Sequence, residues 1–360
     1  MSAGFWRACL LISAGYAVYV LWAYPALLRL LTREPRAPLP ERPDPPDVTV
    51  AVACFNESVH VERKVRDVFS TDYPLDRMTV LFVDNSSTDD TGARLKELAG
   101  KFPIRVLSSP RGKLSALNAA LAEARGELVV STDCDAWWEP GSLRALIRAF
   151  DDPGVGAACA LPVIHGALFP SKERYHRTDF EVRRLEGELN ACTALDGRLM
   201  AFRRAALERF GEEMGIDDMG LSLSLRRRGL RSVVVPEARV HENCQGTAAG
   251  EFAQIRRHVH TVMLCLWGGR GILFNPRYGF YGLVAMPSRR LLPLFLPAAF
   301  LLLWIALWNL SPTGATFAAV LALLAAVLID SFPALQTAAI VAAWGDFLGG
   351  RRGDAWSRNP

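Results

Sequence analysis

Asp133 and Asp135 close the run Val129-Val130-Ser131-Thr132. In an extended chain alternate side chains share a face, so the two carboxylates converge, and hard oxygen donors at that spacing suit Mg2+ or Mn2+. Four more polar residues, Asn56, Glu57, Asp84 and Lys113, also follow the ends of apolar runs. Together these residues suit a nucleoside diphosphate with its cation. Asp133 and Asp135 would take the metal, Lys113 the phosphate charge, and Asp84 and Glu57 hydrogen bonds from base or ribose. Singly, each has a plainer use: the acidic pair as a solvated turn, Glu57 and Asp84 in the first turn of a helix, Lys113 as a solvated loop lysine.

The elements that must position them alternate in type. Val48–Cys54, Met78–Val83, Ile104–Leu107 and Leu128–Thr132 are short, near-continuous apolar runs of the kind buried on both faces. Helical stretches lie between them, one reaching Phe69 and another running from Leu114 to Ala124. This alternation predicts an α/β fold with a mostly parallel sheet, whose ligands bind at the C-terminal ends of the strands, where all six polar residues fall. No G-x-G-x-x-G follows the first strand and no G-x-x-x-x-G-K-[ST] occurs, which disfavours a dinucleotide oxidoreductase and a P-loop. A phosphohydrolase with its nucleophile in DxDx[TV] is a nearer rival, but Trp137 stands where Thr or Val would be needed.

The 360 residues are 51% hydrophobic and 22% charged, and the two kinds are unevenly mixed. Leu10–Leu31 carries Arg29 alone and Leu291–Ile329 carries no charge, whereas Glu41–Arg257 has the mix of a water-facing domain. The first apolar run is long and ends without a small-residue cleavage site, so it reads as a retained signal anchor. Arg29, Arg33, Arg36 and Arg42 follow it and place the domain in the cytoplasm. Leu291–Asn309 and Ala315–Ile329 read as further spans, and Ala334–Leu348 as an interfacial helix or an extension of the last span. Six prolines between Pro35 and Pro46 make a stiff linker. A net charge of +4 without a basic stripe argues against nucleic acid as a partner. Seven cysteines with no C-x-x-C read as reduced thiols.

In order along the chain, these residues resemble the membrane-bound family 2 glycosyltransferases, which have a GT-A fold. Val50-Ala51-Val52-Ala53-Cys54-Phe55-Asn56-Glu57 is similar to that family's opening strand, and Phe82 to Asp90 to its VVDDGSTDxT turn with Asn85 in place of the second Asp. Arg111-Gly112-Lys113 through Asn118 resembles its GKxxALN helix start, and Asp133-Cys134-Asp135 its DxD. Ile216-Asp217-Asp218 through Gly229 is similar to the family's EDxxL helix, and Gln254-Ile255-Arg256-Arg257-His258 to Q-x-x-R-W with His258 for the tryptophan.

The resemblance implies a donor nucleotide sugar, a UDP-sugar by preference, and a lipid-linked or glycan acceptor. It implies Asp218 as the general base with Asp217 as its neighbour, and Gln254, Arg256 and Arg257 at the diphosphate. Trp137, Trp138 and His258 are the candidates for the acceptor sugar. The expected organisation is an anchor over 1–34, a linker over 35–46 and a cytoplasmic GT-A domain over 47–267. An interfacial segment over 268–290, a membrane region over 291–348 and a basic tail over 349–360 follow. The whole is expected to be a multi-pass protein of the cell (inner) membrane. A catalytically silent nucleotide-sugar-binding membrane protein and a metal-dependent phosphohydrolase are the alternatives.

Overall fold

A computed structural model describes residues 2–32, 44–211, 217–243, 246–310 and 331–350. The linker between 33 and 43, the expected third span at Ala315–Ile329 and the tail from 351 lie outside the described residues.

The chain divides into two compact units, residues 34–166 with 183–245, and residues 1–33 with 167–182 and 246–353. The first unit is built on one sheet of eight strands in the order β3-β2-β1-β4-β7-β6-β8-β5. Its first half comprises β1 (Val48–Cys54), α2 (Val61–Phe69), β2 (Met78–Asp84), α3 (Thr91–Ala99), β3 (Ile104–Ser108), α4 (Lys113–Glu123) and β4 (Leu128–Asp133). Every residue of β1 is buried, as its unbroken apolar run requires of a central strand. Parallel neighbours need a crossover, and helices α2, α3 and α4 supply it.

The register puts Cys54 opposite Asp84 and Ala53 opposite Asp133, so the carboxylates that end β2 and β4 come out at one edge of the sheet. Strand β2 lies on one side of β1 and β4 on the other. The strand order therefore reverses at β1, which opens a crevice at that edge. Beneath it Val50, Val52, Phe82, Leu128, Val130 and Phe150 form the core.

The second half is β5 (Trp137–Trp138), α5 (Ser142–Arg148), β6 (Val155–His165), β7 (Leu199–Arg203), α7 (Asp217–Arg227) and β8 (Arg231–Asn243), and the end of helix α6 (Pro170–Glu188), from Arg183 on, precedes β7. Strands β5 and β7 run antiparallel to their neighbours, so the mostly parallel sheet is mixed on this side. The pairing of β6 with β8 is irregular between Ala160 and Leu161, opposite Val235 and Arg239. Pro236 falls in that interval, where its missing N–H breaks no ladder bond.

The second unit holds α1 (Ala3–Leu31), α8 (Ala248–Gly268), α9 (Tyr281–Leu310) and α10 (Phe332–Leu348). Helices α1 and α9 are each long and apolar enough to cross a membrane. Both contain prolines within the helix, Pro25 in α1 and Pro287, Pro293 and Pro297 in α9, and each helix widens by a π turn near a proline, at Tyr19–Ala23 and Tyr281–Ala285. Tyr16 donates to the Leu292 carbonyl at 2.5 Å and the Tyr19 hydroxyl meets that of Ser288 at 2.7 Å, tying the two helices together. The organisation expected from the sequence puts 246–267 at the end of the 47–267 domain. That segment is α8, and it groups with these helices because Arg256 pairs bidentately with Asp346 of α10 and Glu251 with Lys172.

Candidate active site

The loops after β1 and β2 hold each other. Asn56 takes a left-handed backbone (φ 55°), which asparagine tolerates, and its side-chain oxygen accepts from the Thr88 N–H at 2.8 Å. The N–H groups of Asn56, Glu57 and Ser58 donate to Ser87, Thr91 and Asp89 in turn. Glu57 is 3% exposed, with its carboxylate beside His60. Asp84 accepts from the Ser87 N–H at 3.1 Å. Its other oxygen lies over Gly92, where a Cβ would stand 2.7 Å away, so a larger residue there would push the Asp84 carboxylate aside.

Asn85 is fully buried and organises the next loop. Its amide nitrogen reaches Ser109 Oγ at 2.7 Å, the Pro110 carbonyl at 2.6 Å and the Gly112 carbonyl at 3.1 Å, while its oxygen accepts the Gly112 N–H at 2.7 Å. An aspartate offers no donor to those carbonyls, which gives the physical reason for asparagine at 85. Gly112 has φ 129°, open only to glycine, and starts α4 so that Lys113 Nζ lies 3.2 Å from Asp133 Oδ1.

Within the DxD, the alternation expected of an extended chain holds: Cys134 is buried against Cys54, while Asp133 and Asp135 stay half-exposed. Strand β7 starts opposite Thr132, which sets the Arg198 carbonyl to receive the Asp133 N–H at 3.3 Å and the Thr132 hydroxyl at 2.7 Å. Arg198 in turn holds Asp196 at 2.7 Å and Glu242 at 2.6 Å. Burial raises the carboxyl of Glu242 despite Arg198, and the charges of Asp135 and Asp133 add to the rise.

Asp218 lies in the first turn of α7 and accepts the Met219 N–H at 2.6 Å. Burial pushes its carboxyl above the usual range, the charge of Arg183 opposes this, and Asp196 raises it again. Lys113 also lowers it, so the lysine acts on both Asp133 and Asp218. The side chain of Asp217 lies outside the described residues.

The two tryptophans part ways. Trp137 is half-exposed, with the Arg63 guanidinium 3.8 Å from its ring centre and the rings of His165 and His241 beside it at 5.7 and 5.6 Å. Trp138 is 3% exposed and belongs to the core, so it offers no face to a sugar, contrary to the sequence reading. The alternation of β5 puts one ring out and the other in.

In the other unit, Gln254, Arg257 and His258 lie at i, i+3 and i+4 of α8 and share a face. Arg256 falls on another face, where Asp346 accepts from its Nε and Nη2 at 2.5 Å. The sequence reading gave Arg256 to the diphosphate; its guanidinium is engaged with α10.

Asp133 and Asp135 fit a hard divalent cation by donor type and spacing. Among the described residues no cluster of three His, Cys, Asp or Glu completes a metal cage. Lys64, Asp67, Arg183, Asp196, Arg198 and Glu242 escaped the sequence reading, because a helix lysine or a strand-end arginine gives no local sign of what it faces.

Residues 49–211 match the family model described as glycosyl transferase family 2. Over that span the chain is similar to family 2 glycosyltransferases, and its fold is the GT-A fold. A mannosyltransferase from Pyrobaculum calidifontis, solved in complex with GDP-Man and Mn2+, superposes with a TM-score of 0.80 at 25% identity, covering 97% of this chain and 99% of that one. A beta-monoglucosyldiacylglycerol synthase from Synechocystis sp. is 32% identical over 39% of this chain and 32% of its own length. A poly-beta-1,6-N-acetyl-D-glucosamine synthase from Staphylococcus aureus is 24% identical over 61% of this chain and 56% of its own. The chain thus aligns with only part of these curated relatives.

Proposed function

We propose that this protein is an inverting, metal-dependent glycosyltransferase of the cell membrane, moving a sugar from a nucleoside-diphosphate donor to a hydroxyl of a lipid-linked or glycan acceptor. The observation that carries this reading is the strand edge where Asp84 and Asp133 end the strands on either side of β1 and Lys113 lies 3.2 Å from Asp133.

In this reading Asp218 takes the proton of the acceptor hydroxyl as that oxygen bonds to the anomeric carbon. The bond from that carbon to the diphosphate oxygen breaks on the opposite side, its electron pair leaves with the nucleotide, and the configuration inverts. A cation held by Asp133 and Asp135 supplies charge neutralisation of the diphosphate. Lys113 adds to that neutralisation, and Gln254 and Arg257 are proposed for the same group. Asp84, Glu57 and the Asn56 loop form the nucleoside side. Trp137 and His258 are proposed for the acceptor. The catalytic domain faces the cytoplasm, where nucleotide sugars are made, and α1 and α9 cross the bilayer.

The test is to incubate membranes carrying the protein with labelled UDP- and GDP-sugars and to size the products. A glycoside is expected, lost with chelator and restored by Mn2+ or Mg2+. Asp133→Ala and Asp135→Ala should abolish transfer while leaving expression and insertion near normal, since strand-end carboxylates contribute little to the core. Free phosphate in place of a glycoside would make the protein a phosphohydrolase, and nucleotide binding without turnover a silent binder.

A further inference from the structure

Lys64 sits on the sheet-facing side of α2 and is 1% exposed. Burying an ammonium is expensive unless each of its donors finds a partner, and its partners reveal what the residue is for. Nζ donates to Thr132 Oγ1 at 2.8 Å and to the Ala136 carbonyl at 2.7 Å. Those two groups bracket the DxD, one residue before Asp133 and one after Asp135.

The third neighbour is Asp67, one turn along α2, whose Oδ2 is 3.8 Å from Nζ. Its carboxylate accepts the Trp138 N–H at 3.3 and 3.4 Å, and the Trp138 ring lies under the ammonium, 4.3 Å from Nζ. Residues 132–138 are therefore pinned at both ends and in the middle by two side chains of one helix.

We infer that Lys64, seconded by Asp67, is a positioning residue that holds the 132–138 turn in the shape that makes Asp133 and Asp135 converge on a cation. Core packing alone would be met by an apolar side chain of the same length. The ammonium instead bonds to a hydroxyl and a carbonyl on opposite sides of the carboxylate pair. Two carboxylates repel each other before a cation arrives, and a fixed positive charge behind the turn reduces the cost of holding them together. The inference rests on the metal-dependent reading above.

The experiment is Mn2+ binding to the full-length protein in detergent with UDP or GDP present, followed by the electron paramagnetic resonance of free Mn2+, with thermal unfolding of each protein in parallel. Lys64→Met would leave Asp67 buried and uncompensated, so it is paired with Asp67→Asn, which keeps an acceptor for the Trp138 N–H. Replacing a buried ion pair by neutral groups of similar volume often leaves stability unchanged. The double variant should unfold near the wild-type temperature, with Mn2+ affinity about 10- to 100-fold weaker, the loss typical when groups behind metal ligands are removed. Thr132→Val, which removes one Lys64 tether together with the hydroxyl's bond to the Arg198 carbonyl and leaves α2 untouched, should weaken Mn2+ binding in the same direction by less. Mn2+ affinity within twofold of wild type in both variants would overturn the proposal, whatever happens to the unfolding temperature. Wild-type protein that binds no Mn2+ would overturn the metal-dependent reading, and the proposal with it.

Discussion

At the scale of single residues, Asp218 and Asn85 carry the sharpest expectations. A base must be ionised to accept a proton, and burial followed by the charge of Asp196 raises the carboxyl of Asp218 from its usual value of 3.8. The acidic limb of kcat against pH should therefore lie above the ordinary aspartate range, with activity rising as pH climbs through it. Asp196→Asn removes a charge that raises this carboxyl, so the limb should move to lower pH; a shift upward would contradict the assignment. Asp218→Asn should keep donor binding and lose about 10²-fold or more in kcat. Asn85→Asp should instead raise the donor KM, because a carboxylate facing the Pro110 and Gly112 carbonyls expels the loop that sets Lys113 beside Asp133. An unchanged KM in that variant would mean that the loop is held by something other than Asn85.

At the scale of elements, two close approaches fix where the strands end. The turn before β4 packs on the start of β1, and a Cβ at Gly126 would stand 2.6 Å from the Asp47 carbonyl and 2.9 Å from the Thr49 nitrogen. These are backbone atoms that cannot rotate away. Gly126→Ala should cost about 1–3 kcal/mol by forcing β1 and β4 apart, readable as a lower unfolding temperature. At Gly92 the obstacle is the Asp84 carboxylate, so Gly92→Ala should act on donor KM with a smaller effect on stability. In the other unit, the double contact of Arg256 with Asp346 ties α8 to α10. Asp346→Asn should lower thermal stability in detergent, and Arg256→Gln should add little to that loss, because partners in one contact are not additive.

At the scale of the whole molecule, the arginines beside the apolar runs predict that reporters fused at Asp90, Thr313 and Pro360 read inside, outside and inside. An outside reading at Asp90 would remove the nucleotide-sugar assignment, since those donors are made in the cytoplasm.

The sequence alone determined the first four strands, the helices between them and the edge at which Asp84, Lys113, Asp133 and Asp135 gather, because runs such as Val48–Cys54 and Leu128–Thr132 are buried on both faces and leave little choice of partner or direction. The apolar lengths of α1 and α9 were legible for the same reason, each being a property of consecutive residues. Strands β5 to β8 were not, since β6 and β8 carry Pro162 and Pro236 and pair irregularly, which hides their period. Only the tertiary structure separated Trp137 from Trp138, tied Arg256 to Asp346 and placed Lys64 behind the DxD turn. Each of these depends on what a side chain meets across a gap of tens of residues, and the burial that decides its charge and its role exists only once the sheet has closed over it.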